Sequence, residues 1–495
     1  MKTNISLLLA SFTLLAAGCA VGPDYKAPAA NTPAQWSEPL AGGETAQTAS
    51  VATWWKNFND PELNSLVERA VAANLDLKIA ESRVREARAQ AGIAEADFGP
   101  KVDASGSAQR QATSTHQPVL GSLPIPGNVP FVNNVYQSGF DASWEIDVFG
   151  GTRRAVEGAN AEVAAAEYSQ QDVQVSLIAE VARNYVEARG FQWRLAIAQE
   201  NIKAQTDALG LTKDRFQKGI GNDLDVQQAN TVLAQTQAQI PVFENGLETS
   251  IHRLSVLLAQ SPGALQTELA AAAPIPSIPP QVPVGLPSEL LLRRPDVRQA
   301  ERALAAANAH IGVATADLFP KFSLTGAAGF ESVSTSDWFT PGSKFWSLGP
   351  TVQWQIFDAG RIRANIRVQN ARQEQALATY EKTVLTSFED VENALVAYAK
   401  EQVRHQSLTQ AVASSSDALN LSNQLYANGL TNFINVLDSE RALYQTQDDL
   451  VQSDKAVTQN LIALYKALGG GWDTGEKVAQ AETAKAAVQV VADAK

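Results

Sequence analysis

The sequence predicts a mainly helical chain with a membrane β component, in which long helices flank four strands that can form only part of a barrel. Three observations carry this prediction. First, the second half of the chain repeats the first, and an internal repeat reports a symmetric architecture. Asp76 to Lys101 aligns without gaps on Asp296 to Lys321; from Trp144 onward, Trp144 pairs with Trp354, Gly150 with Gly360, Gly219 with Gly429 and Asn222 with Asn432. Second, the stretch from Gly151 to Lys218 holds no proline and almost no turn chemistry, so one helix about 100 Å long is expected there. Third, four stretches between the helices alternate apolar and polar residues, the signature of strands that face lipid on one side.

The elements follow in order. Lys2, an apolar run from Ile5 to Ala17 and then Gly18-Cys19 have the layout of an export signal over residues 1–18, too short to span a bilayer as a mature helix. Cys19 is the only cysteine. Its placement predicts a lipid-modified mature N-terminus and leaves no disulfide. Residues 19–58, rich in Pro, Gly, Ala and Thr, read as an extended lipid-anchored arm. Asp60-Pro61-Glu62 then starts a helix, with Asp60 as N-cap, a proline where its missing N–H costs nothing, and an acid in the first turn. This helix is expected to run to about Phe98 and to stop before Gly99-Pro100.

Strands are expected at about 101–112 and 134–147, and again at about 320–332 and 344–357. Phe140, Trp144, Leu324, Phe330, Val352 and Trp354 fall on apolar faces, and Asp141, Glu145, Ser323 and Gln353 on polar ones. Four strands cannot close a barrel, and lipid tolerates no open edge, so other copies must complete it. Trp144, Trp346 and Trp354, with Phe345, stand near strand ends as interfacial aromatics.

After the long helix, Gly219 suits a left-handed helix end and Asn222 the next N-cap. A helix from Asp223 to about Gln260 follows, with a kink expected at Pro241, where its twin Val451 allows none. Residues 271–287 are a proline-rich linker. The second half repeats the plan with helices from about Pro295 to Leu318, from Gly360 to Ala427 and from Asn432 to Leu468. The repeats therefore occupy 59–270 and 288–470, with a C-terminal tail at 471–495, equatorial or disordered. Leu233, Ile240, Leu247 and Leu254, echoed by Leu443, Leu450, Val457 and Leu464, form a heptad seam that packs long helices together.

Composition excludes several functions. The formal net charge is −13, whereas phosphate binding needs a cationic face, so no nucleic acid is expected. His116, His252, His310 and His405 make no i, i+4 pair, and P-loop, GxGxxG, HExxH and nucleophile-elbow motifs are missing, so neither an enzyme nor a metal site is expected. Gly469-Gly470-Gly471 reads as a helix stop. No cofactor is expected beyond covalent lipid on Cys19.

Cys19-Ala-Val-Gly-Pro-Asp-Tyr-Lys-Ala-Pro28, Trp54-Trp55 with Asp60-Pro61, Gly285-Leu-Pro-Ser-Glu-Leu-Leu-Leu-Arg-Arg-Pro-Asp296 and the two Ala-Asp-[Phe/Leu]-x-Pro-Lys turns resemble the outer membrane efflux protein family. The likeness is to its NodT/OprM-type lipoprotein branch, the TolC-like factors that serve RND pumps. The resemblance implies a TolC-like fold: three protomers sharing a twelve-stranded outer-membrane barrel, continued by a periplasmic helical barrel with an equatorial belt. It implies a passive exit duct for drugs or other small molecules, with a periplasmic membrane-fusion adaptor and an inner-membrane RND pump as partners. By the same resemblance Gly219, Asn222, Gly429 and Asn432 mark the periplasmic tip that docks the adaptor. Asp225 and Tyr426 match a tethering pair, and Asn435 and Asp438 stand at two aperture positions that are both aspartate in the TolC pattern. Thr431 replaces a latch arginine. Two alternatives remain at this point: a TolC-like conduit for type I protein secretion, and a coiled-coil envelope lipoprotein, which the four strands disfavour.

Overall fold

The computed structural model describes residues 20–29, 32–38, 44–45, 51–113, 131–279 and 282–472. The expected signal, Cys19 itself and the tail beyond Trp472 lie outside the described residues. In chain order the elements are β1 (Glu44–Thr45), α1 (Pro61–Ala73), α2 (Leu75–Ala96), β2 (Lys101–Thr113), β3 (Phe131–Ile146), α3 (Gly151–Gln217) and α4 (Asp223–Leu257). The second half holds β4 (Val282–Pro283), α5 (Pro287–Arg293), α6 (Pro295–Ala316), β5 (Lys321–Ser332), β6 (Lys344–Gln353), α7 (Arg361–Ala427) and α8 (Phe433–Ala467). Among the described residues no helix is long and apolar enough to cross a membrane.

The helix expected from 61 to 98 is two helices, broken at Asn74. Asn74 leaves the helical region with φ −54° and ψ 136°. Its buried side chain compensates by accepting from the Leu77 N–H (3.1 Å) and donating to the Leu257 carbonyl (2.9 Å). The twin break falls at Arg294, where Pro295 forces the preceding residue out of the helix. Pro241, by contrast, does not interrupt α4, which spans 35 residues like its twin α8.

The chain divides into two compact units. One comprises Met1–Pro28, Val84–Ala165 and Glu301–Thr379 and contains a four-stranded sheet ordered β2-β3-β5-β6. Every pairing is antiparallel, and the register sets Phe140 opposite Ala104 and Ala328, Trp346 opposite Ala328, and Trp144 opposite Leu324. Directly opposed residues share a face, so the apolar alternation read in each strand becomes one continuous apolar surface. In the single chain this surface is open: Phe140 is 62% exposed, Leu348 70% and Trp346 80%. Among the described residues β2 and β6 each keep one unpaired edge.

Two expectations need correcting here. β6 ends at Gln353 rather than near 357. Gln353 pairs with Lys321, so Trp354 would next face Pro320, which has no N–H to extend the ladder. Phe345 lies opposite Gly329 on the polar side, over the space that a Cβ on that glycine would enter, 3.0 Å from its Cε1. It does not belong with the aromatics of the apolar face.

The second unit comprises Ala29–Arg83, Ala166–Ala300 and Tyr380–Lys495. Its core is built around Trp54, stacked on Tyr465 at 5.1 Å, with Leu63, Leu66, Val181, Leu254 and Leu461 fully buried. Burying each such side chain is worth about 1.5–3 kcal/mol. Asp60 caps α1 as expected: one carboxylate oxygen accepts from Glu62 N and Leu63 N (2.9 and 3.0 Å). The other accepts the Tyr185 hydroxyl at 2.8 Å, which ties the cap to α3. The arm and the linker meet where β1 pairs in parallel with β4, and Trp36 Nε1 donates to the Gly285 carbonyl at 3.0 Å. Helices α3 and α8 run antiparallel, pinned by Arg194 to Asp448 (2.6 Å) and by Lys455 to Glu187 (2.8 Å). The heptad residues Leu254, Leu443, Val457 and Leu464 are buried.

Candidate functional site

Within the first unit, the foot of the sheet shows how the repeat builds one joint twice. Trp144 Nε1 donates to the Phe98 carbonyl (2.7 Å), and Trp354 Nε1 donates to the Leu318 carbonyl (3.0 Å). Each indole ties a strand end to the turn that closes the preceding helix. The same turns carry twin ion pairs, Lys101 with Asp97 (2.8 Å) and Lys321 with Asp317 (3.2 Å). The recurring Ala-Asp-x-x-Pro-Lys motif is therefore a helix stop, a salt link and a tryptophan anchor in one. Trp346, at the start of β6, lies among the exposed apolar side chains.

The arm that follows Cys19 is clamped onto this foot. Val21 N donates to the Phe149 carbonyl at 3.0 Å. Arg154, its side chain only 6% exposed, donates to the Val21 carbonyl (3.1 Å) and pairs with Asp24 (2.6 Å). Asn308 donates to the Pro23 carbonyl (2.9 Å), and the Tyr25 hydroxyl donates to the Glu301 carboxylate (2.6 Å). Gly22 adopts φ +90°, and a Cβ there would come within 2.5 Å of Gly312 Cα. Each residue of Gly22-Pro23-Asp24-Tyr25 thus has a docking role, and the arm begins beside Gly150, just past the end of β3.

In the second unit the two helix hairpins close with the same turn. Gly219 and Gly429 take φ +74° and +73°. Their N–H groups donate to Phe216 O (2.9 Å) and Tyr426 O (3.0 Å), and the next N–H groups, of Ile220 and Leu430, to Arg215 O (3.0 Å) and Leu425 O (2.9 Å). This pattern caps a helix through a left-handed residue. A Cβ on either glycine would meet nothing within 4 Å, so the dihedral angle alone demands glycine. Asn222 caps α4 by accepting from Asp225 N at 2.9 Å. The side chain of Asn432 makes no capping bond. The twin residues Ile220 and Leu430 leave the turns 63% and 74% exposed.

Next to the turns, Tyr426 is buried in a cluster with Val226, Phe433, Val436 and Leu437. It makes no hydrogen bond to Asp225, the partner expected for it. Instead the Arg215 guanidinium lies over its ring, 4.6 Å from the centroid, and Arg215 Nη1 donates to the Tyr426 carbonyl at 3.4 Å. Burial pushes the Asp225 carboxyl up, with the Arg215 charge opposing it. Burial also pushes the Tyr426 hydroxyl up. Asn435 donates to Thr431 Oγ1 at 2.6 Å. Asp438 lines a shallow groove with Ser414, Ser415, Ser422 and Ser439, and its carboxylate is 3.6 Å from Arg441 Nη1. The sequence did not single out Arg215. Its place four residues before the first tip glycine, in the last turn of α3, was the available signal.

Among the described residues no cluster of His, Cys, Asp and Glu has a metal-binding arrangement.

Comparison with known proteins gives consistent matches. The family model for the outer membrane efflux protein matches residues 66–260 and 286–470. The pyoverdine export outer membrane protein OpmQ of Pseudomonas aeruginosa is 35% identical over 95% of this chain and 97% of its own length. Nodulation protein T of Rhizobium leguminosarum bv. trifolii is 33% identical over 93% and 96% respectively. Among solved structures, the outer-membrane channel OprN superposes with a TM-score of 0.85 at 37% identity, covering 92% of this chain and all of its own.

Proposed function

We propose, because the chain belongs to the outer membrane efflux protein family and contributes one half-apolar sheet whose two edges are open among the described residues, that three copies close a twelve-stranded barrel in the outer membrane and form the passive exit duct of an efflux pump. The sheet is the observation that carries this reading. Lipid leaves no backbone edge unpaired, so four strands reach a stable state there only by joining the edges of other copies. The apolar face then meets lipid, and the polar face, with Asp141 and Glu145, lines the water-filled lumen.

The duct receives small molecules from an inner-membrane RND pump through a periplasmic adaptor. The two glycine turns support this part of the reading, since each presents an exposed apolar residue at a hairpin end, Ile220 in the first and Leu430 in the second, which an adaptor would cover. Asp438, repeated round the axis of a trimer, supplies an acidic ring at the aperture. Cys19 carries the lipid anchor, and the clamped arm starts that anchor at the foot of β3, where the strands leave the membrane.

Reconstitution of the purified full-length protein in a planar bilayer tests the duct. Discrete conductance steps from a trimeric species are expected, and a trimer that never conducts overturns the reading. Mass spectrometry of the mature protein is expected to find an acylated Cys19 at the N-terminus. An unmodified cysteine, or a different N-terminus, removes the anchor.

A further inference from the structure

We propose that Arg215 is the positioning residue that holds the two helix hairpins of one chain together at the tip, by clasping the ring and main chain of Tyr426. The inference rests on the duct reading, because it assigns the clasp the task of keeping the resting aperture narrow.

Three features of the geometry point this way. Arg215 sits in the last turn of α3, in the first hairpin, while Tyr426 sits in the last turn of α7, in the second. One side chain thus bridges the hairpins twice, through its face over the ring and through Nη1 on the carbonyl. The Arg215 Nε is buried with no hydrogen-bond partner. The aromatic face beneath the guanidinium is what the site offers a cation. The nearby carboxyl of Asp225 acts on Arg215 through charge, without an ion pair or a bond to Tyr426.

The clasp is also made only once per chain. The twin of Arg215 in the second half is Leu425, and the twin of Tyr426 in the first is Phe216. Phe216 is 47% exposed, whereas Tyr426 is 5% exposed. The repeat supplies two equivalent hairpins, and this substitution pair makes them inequivalent at their ends.

This assignment separates the ring of Tyr426 from its hydroxyl. The experiment is single-channel recording of the full-length trimer for the wild type, Arg215→Leu, Arg215→Lys, Tyr426→Phe and Tyr426→Leu, with trimer yield and thermal stability measured on each. Arg215→Leu and Tyr426→Leu are expected to raise resting conductance severalfold. Tyr426→Phe, which keeps the ring, is expected to stay near wild type. Arg215→Lys, which keeps the charge and loses the planar fork, is expected to lie between them at unchanged trimer yield. Equal leakiness of Tyr426→Phe and Arg215→Leu would place the tether on the hydroxyl and overturn the proposal, as would an unchanged Arg215→Leu channel. A wild-type protein that does not conduct at all would instead defeat the duct reading.

Discussion

Glu440 lies on α8 with 8% of its surface exposed, and no partner holds its carboxylate among the described residues. Burial pushes its pKa from the ordinary 4.5 up to about 7. The sign of the pH effect follows. Below about pH 4.5 the folded and unfolded chains both hold the proton. Between 4.5 and 7 the folded chain holds more, so stability falls as pH rises through this window and stays lower above it. Glu440→Gln is expected to flatten this dependence and to stabilise the protein by roughly 1–3 kcal/mol at pH 8, read from thermal melts at pH 5 and pH 8. An equal gain at both pH values would show that the carboxyl does not titrate in this range. Nothing in the sequence marks Glu440: its twin is Asn230, and only packing shows that it points inward. Gly219, Gly429 and Asp60 were legible, because positive φ and N-cap geometry each select few residue types.

At the scale of elements, the period-two alternation placed all four strands and their faces, because an antiparallel ladder keeps alternation intact across the sheet. This gives a direct test. Phe140→Arg, on the apolar face, should lower barrel stability by about 2–4 kcal/mol, whereas Asp141→Arg should alter conductance at much smaller cost. Equal destabilisation in trimer melting would mean that the two faces are exchanged. What the alternation could not show is where a ladder stops, which in β6 depends on Pro320 across the pair. The helices show a similar limit. The break before Pro295 is written in the sequence, but its twin at Asn74 has no proline and exists because a buried amide satisfies two backbone groups at once. Asn74→Ala is expected to destabilise the second unit by about 1–3 kcal/mol, since the Leu257 carbonyl and Leu77 N–H lose their partner. An unchanged denaturation midpoint would show that water replaces the amide. The β1–β4 pair left no signal at all, being two residues long and containing a proline.

At the scale of the molecule, the repeat decided the architecture before any element was resolved, and the open sheet decides what the chain can be on its own. Because the edges of β2 and β6 are satisfied only by other copies in the proposed trimer, folding and association are linked. The apparent melting temperature of the protein in detergent should therefore rise with protomer concentration; a melting temperature independent of dilution would show that the sheet is complete without its neighbours. The same open edges bear on biogenesis. Before assembly a lone chain carries a broad apolar face and two strand edges that, among the described residues, are open to any other strand. Assembly and misassembly therefore draw on the same pool of lone chains, and a slow supply of partners lengthens the time in which those edges can pair wrongly.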